Sequence, residues 1–235
     1  MKPVNRLITL LSLITVVITV ERVSPTTRIL LQPYGFLHLH EALQIGLITA
    51  AGTVISFLIL REVSDGFRLL AAGGGAALGC LFILGTYFAA SGNAAHEVAS
   101  FLFNRFCDVH HVRPGACGSE YVNDYFFGNV TYFVGLGLSN LAVVLVERRR
   151  PDGSMTRGDV WVTVANAAVL ALTFVAYDAF DRVLVGLVST VVFALVFGGL
   201  LLTARARPRF LPFTLYSGLG FTLAAVIAIP IRALR

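Results

Sequence analysis

The 235-residue chain draws 57% of its residues from the apolar set AVILMFWYC and only 13% from the charged set, and its mean hydropathy is +0.81. A soluble domain carries about twice that charged fraction, so soluble, disordered, collagen-like and disulfide-scaffold classes are excluded and lipid is the solvent to reason in. The net charge of +5 sits in short arginine-rich breaks between apolar runs rather than along one helix face, which argues for headgroup anchoring and against a nucleic-acid partner.

A hydrocarbon core about 30 Å thick needs about 20 mostly apolar helical residues, because the backbone must satisfy its own hydrogen bonds there. Seven runs meet that requirement: 6–20, 36–60, 69–91, 125–146, 160–176, 183–203 and 211–231. The expected fold is all-α, a single polytopic membrane bundle over residues 1–235 with seven transmembrane helices. Most of the 18 basic residues lie in the segments that are cytoplasmic if the N-terminus is inside, notably Arg148 to Arg157 and Arg205 to Arg209. The positive-inside rule therefore predicts an inner N-terminus, an outer C-terminus and a multi-pass protein of the cell membrane. Lys2 and Arg6 before the first run also fit a secretory signal, but no clear small-residue cleavage site follows Val20, so the run is read as a span.

In this topology all five histidines and most acids collect on the outer side. Ionisable groups at the edges of spans are costly in lipid and usually face a bundle interior or a wet cavity. The second run opens with His38-Leu39-His40-Glu41. On a helix His40 shares a face with Gln44, and His38 points elsewhere. Beyond the third run, Asn93, His96 or Glu97, Ser100 and Asn104 recur at three- or four-residue steps, one polar stripe on an otherwise apolar helix. Residues 92–106 are either an amphipathic helix in the interface after a break at Ser91-Gly92, or a continuing helix that lines a cavity, with Phe101 and Phe103 covering the lipid side.

Cys107 and Cys117, ten residues apart on the outer side, are expected to form a disulfide; Cys80, in an apolar run, is read as a packing residue. Asp124 stands at the entry to the fourth run, with Gly128 one turn deeper so that another helix or a ligand can approach the acid closely. Asn123 or Asp124 as a plain helix N-cap is the competing reading. Tyr177 to Arg182 reads as a solvated turn, and the last three spans as scaffold with close contacts at Gly186, Gly198, Gly199, Gly218 and Gly220.

His40, His96 and Asp124 form the cheapest metal-ligand set, with Asn93, Gln44 and Asn129 as hydrogen-bonding supports and Glu41, Glu97 and Asp124 as candidate catalytic carboxylates. Zinc or another divalent metal there, with an open coordination position, would activate water against an ester or amide of a lipid-like substrate. No H-E-x-x-H or H-x-x-x-H motif supports the set by spacing. The last run holds no histidine, unlike the seven-span alkaline ceramidases, and Lys2 is the only lysine, which excludes a retinal Schiff base within the bundle.

Two other classes stay open. A transporter or channel for a small solute, proton or cation would use Thr53, Ser56, Ser139 and Asn140 to carry polarity inward. An accessory subunit would use glycine-rich faces such as Gly73-Gly74-Gly75 to meet a homo-oligomer or membrane-complex partner, with lipids as its other contacts.

Overall fold

A computed structural model describes residues 3–149, 154–179, 183–204 and 211–234. The predicted breaks at Arg150 to Gly153 and Arg205 to Arg209, and Phe180 to Arg182 of the predicted turn, lie outside the described residues. Among those described there are no strands and seven helices long and apolar enough to cross a membrane. They are α1 (Pro3–Arg22), α2 (Leu39–Val63), α3 (Gly75–Phe106), α4 (Ala116–Arg149), α5 (Arg157–Asp178), α6 (Val185–Leu202) and α7 (Pro212–Ala233). The chain is an integral membrane protein of the multi-pass helical class.

The third and fourth elements differ most from expectation. Helix α3 starts six residues late because Gly74 holds φ +70° and Gly75 lies where a Cβ would stand 2.2 Å from the Leu69 carbonyl. The chain turns sharply there after the short helix Arg68–Ala71. Gly73-Gly74-Gly75 is thus a turn and helix start. At its other end α3 runs without interruption through Ser91-Gly92 to Phe106, so residues 92–106 continue the helix. Gly92 reads as a breaker in sequence, yet it is a packing residue: a Cβ on it would lie 2.3 Å from the Tyr132 amide nitrogen of α4.

That contact belongs to a ladder. Gly85 and Gly92 on α3 and Gly128 and Gly135 on α4 are pairs seven residues apart, two helical turns on one face. A Cβ on Gly85 would meet the Ser139 amide at 2.4 Å, on Gly135 the Ala89 amide at 2.1 Å, and on Gly128 the His96 amide at 2.7 Å. The helices therefore run antiparallel in backbone contact, a geometry that only glycine permits. The glycines singled out in the later spans behave less uniformly. Gly186, Gly198, Gly218 and Gly220 do meet neighbours closer than 3.0 Å, whereas Gly199 faces open space.

The two ends of the bundle differ chemically. At the end where α1, α5 and α7 begin, the Asn5 amide donates to the Asp159 carbonyl at 3.0 Å, and Thr156 and Asp159 form a capping box that starts α5. Buried Glu147 closes the start of α7, accepting the amides of Phe213 and Thr214 at 2.8 and 2.7 Å and the Thr214 hydroxyl at 2.6 Å. A carboxylate facing the free N–H groups of a helix start satisfies orphan donors and complements the helix dipole. Glu147→Ala should therefore cost about 2–3 kcal/mol, and Glu147→Gln less, read as thermal midpoints in detergent. The opposite end holds all five histidines and the candidate site.

Candidate functional site

The site is assembled from the end of α1, the start of α2, the far part of α3, the start of α4 and the end of α5. Two of these helices carry a wide π turn where they reach it, Gln44–Ile48 in α2 and Asn123–Gly128 in α4. Such turns add a residue, re-aim side chains and free a carbonyl for another partner. In α2 the Gln44 carbonyl accepts the Thr49 hydroxyl at 2.7 Å, and Thr49 in turn accepts the Asn93 amide from α3 at 3.0 Å. The Gln44 side chain donates to Glu21 at 3.1 Å, tying α2 to α1.

In α4 the freed carbonyl is that of Asp124. It accepts Asn129 Nδ2 at 3.2 Å and lies 3.0 Å from His96 Nδ1, while the Asp124 carboxylate Oδ1 stands 2.9 Å from the same ring nitrogen. Oδ1 approaches off the hydrogen-bond direction, so it acts as a charge contact and the carbonyl is the aligned partner. A carbonyl oxygen only accepts. Nδ1 of the neutral ring therefore carries the proton, and Nε2 keeps its lone pair. Gly128 makes the pairing possible, since any side chain there would push His96 away from α4.

His96 lines a cavity of about 390 Å³ between α1, α2, α3, α4 and α5. Its walls are mainly apolar, with Phe133, Phe174 and Ile18 among them, and Arg22, Gln44, Asn93, Asn129, Tyr132 and Tyr177 supply polar groups. Arg22 is half-exposed and pairs through one Nη with Glu97, which is fully buried and whose Oε2 has no hydrogen-bond partner among the described residues. The Tyr177 hydroxyl donates to Asn129 Oδ1 at 3.0 Å. Below lies a second space of about 160 Å³, which shares Thr15, Ile18, Gln44, Asn93, Tyr132 and Phe174 with the first and reaches Thr53, Ser56, Ser139 and Asn140.

The residues expected at one metal centre separate. His96 and Asp124 meet, but His40 stands with His38 and Glu41, and these three are the group of His, Cys, Asp and Glu close enough to share an ion among the described residues. The engagement of Glu41 explains the split. Glu41 completes a capping box with His38, accepting its amide at 2.8 Å, and is turned toward the two histidines rather than the cavity. Glu97 is salt-bridged, Asp124 backs His96, and Asn93, Gln44 and Asn129 are all in the hydrogen-bond framework.

Several finer readings are corrected. Asp124 lies more than two turns inside α4, which starts at Ala116, so it is no N-cap. Phe101 and Phe103 are buried rather than lipid-facing: Phe101 packs edge-on against His38, and Phe103 against Tyr121 and Tyr125. The stripe on α3 divides, with Asn93 and His96 at the cavity and Asn104 exposed and bonded to Ser100. Tyr177 and Asp178 belong to α5, and Asp178 is buried rather than solvated. The Cys107–Cys117 disulfide closes the loop between α3 and α4. In that loop the His110 amide donates to Asp108 at 2.9 Å and holds its carboxyl below the usual carboxylate range.

Sequence reasoning missed Arg22, Tyr132 and Tyr177. Arg22 had one signal, a basic residue at a span end on the side otherwise poor in basic loops. Comparison with protein-family models, curated proteins and solved structures returns no match.

Proposed function

We propose that the protein is a membrane-embedded hydrolase of an ester or amide bond in an anionic, lipid-like substrate, with His96 as general base and acid and Asp124 as its positioning partner. The observation that supports it is a histidine whose Nδ1 is held by a carbonyl and a carboxylate while the residue lines a mostly apolar cavity. That pairing orients the ring, fixes the tautomer that leaves Nε2 basic, and stabilises the imidazolium formed in the reaction. Water gives its proton to Nε2 as its oxygen bonds to the acyl carbon. The bond to the leaving oxygen or nitrogen then breaks as His96 returns the proton, giving an acid and an alcohol or amine. Arg22 reaches Glu97 through one nitrogen and retains other N–H donors for an anionic headgroup or the developing oxyanion. The deeper space beside Phe174 and Phe221 takes the apolar chain. The site end faces outward in this reading, in keeping with the basic-loop bias.

Thr15 lines both spaces, so Thr15→Trp tests the cavity. Hydrolysis of long-chain acyl esters and amides in mixed micelles should fall about 10-fold or more in this variant at unchanged thermal midpoint. Full turnover in Thr15→Trp would move the chemistry out of the cavity.

A second reading has its own support. Thr53, Ser56, Ser139 and Asn140 line the deeper space, which gives a polar path toward the opposite end and suits passage of a small neutral solute. Proteoliposome flux that survives His96→Ala would favour transport over hydrolysis.

A further inference from the structure

Besides the cavity, the molecule carries a second cluster of chemically capable side chains, at the start of α2. His38, His40 and Glu41 each present a ligand atom, and these atoms lie within 4.8 Å of one another. His38 Nδ1 stands 3.2 Å from Glu41 Oε1, and His40 Nδ1 stands 3.2 Å from Glu41 Oε2. Around an ion with bonds of about 2.0–2.1 Å, tetrahedral neighbours are about 3.3–3.4 Å apart, close to the spacing of each ring nitrogen from its own carboxylate oxygen. His40 Nδ1 is buried and has no hydrogen-bond partner among the described residues. His38 Nδ1 is hydrogen-bonded to Glu41 Oε1, whereas His40 Nδ1 faces Oε2 without a hydrogen bond, and a cation between that buried ring nitrogen and the carboxylate would satisfy both.

The cluster is also held in place before any ion arrives. The chain from Ile29 to Leu31 pairs with Leu37 to Leu39 in a short antiparallel bridge: the Leu39 amide donates to Ile29 at 2.7 Å and the Leu31 amide to Leu37 at 2.9 Å. The two imidazoles lie nearly parallel, 5.8 Å apart at 24°, and Phe101 of α3 packs edge-on against His38 at 5.1 Å. Rigid ring orientation of this kind is what a metal site requires of its surroundings.

We infer that His38 and His40, each through a ring nitrogen, and the Glu41 carboxylate form a binding site for one zinc-class divalent ion, distinct from the His96–Asp124 pair. Imidazole and carboxylate donors suit zinc among the available divalent metals. Three protein ligands leave the fourth position for water or for an anionic group arriving at this end of the bundle.

The test reads metal and not turnover, so it stands or falls apart from the hydrolase reading. Untagged protein in detergent, stripped by chelator, is dialysed against Zn²⁺ and assayed for bound metal, then titrated with Co²⁺ for the visible bands of tetrahedral coordination. One ion per chain is expected, with affinity weakened by about 10- to 100-fold in His40→Ala and Glu41→Gln and unchanged in His96→Ala. Glutamine keeps a capping side chain at position 41, so Glu41→Gln reports on the ligand even if His40→Ala disturbs folding. No saturable binding, binding equal in Glu41→Gln and wild type, or loss of the ion in His96→Ala would each overturn the assignment.

Discussion

Replacing His96 by alanine should lower turnover by about 10²–10⁴-fold, the usual range for a general acid–base group, while the thermal midpoint moves little. His96 is bonded to α4 through its ring only, and the backbone contact of α3 with Gly128 remains in the variant. Asp124→Asn is the sharper probe. Asparagine keeps the size of the side chain and leaves the carbonyl that orders Nδ1, so the tautomer survives and only the charge that stabilises the imidazolium is lost. A drop of similar order is expected, because this charge acts in a buried, low-dielectric setting. Equal loss of folded protein in both variants, followed by size-exclusion chromatography in detergent, would mark the pair as structural instead.

The second large effect is on the fold. Gly135→Ala adds one carbon 2.1 Å from the Ala89 amide and should cost about 2–4 kcal/mol, because the obstruction is backbone and cannot rotate away. Gly199→Ala is the matched control. It lies in a helix with open space at the same atom, and alanine there should be neutral or stabilising by up to about 1 kcal/mol. Thermal unfolding of the two variants in one detergent separates a glycine that permits helix contact from one that does not. If Gly135→Ala unfolds like the control, α3 and α4 are not in backbone contact.

These two expectations rest on features of unequal legibility. The spans were readable because lipid imposes a length and a composition on them, and the placement of Asp124 one turn before Gly128 pointed to the close approach that His96 makes. The continuity of α3 was not readable from Ser91-Gly92. Glycine serves equally as a breaker and as a contact residue, and only the partner at Tyr132 decides which. The π turns at Gln44 and Asn123 leave no signature in residue pattern, yet they set which carbonyl is free and which face Asp124 takes. His40 was grouped with His96 on the strength of a shared bundle end. The capping role of Glu41, whose carboxylate faces both rings, puts it instead beside His38. Arg22 entered from α1, which meets the far part of α3 through the reach of this one side chain to Glu97, a long-range pairing that local sequence does not encode.

In the proposed function, His96 backed by Asp124 cleaves a lipid-like substrate inside the bundle. The most direct test of this cleavage is mass spectrometry of a whole lipid extract in nanodiscs incubated with wild-type protein, His96→Ala or Asp124→Asn. One class of ester or amide lipid should decline and its acid accumulate with wild type alone. Identical lipid profiles for all three proteins would contradict this function.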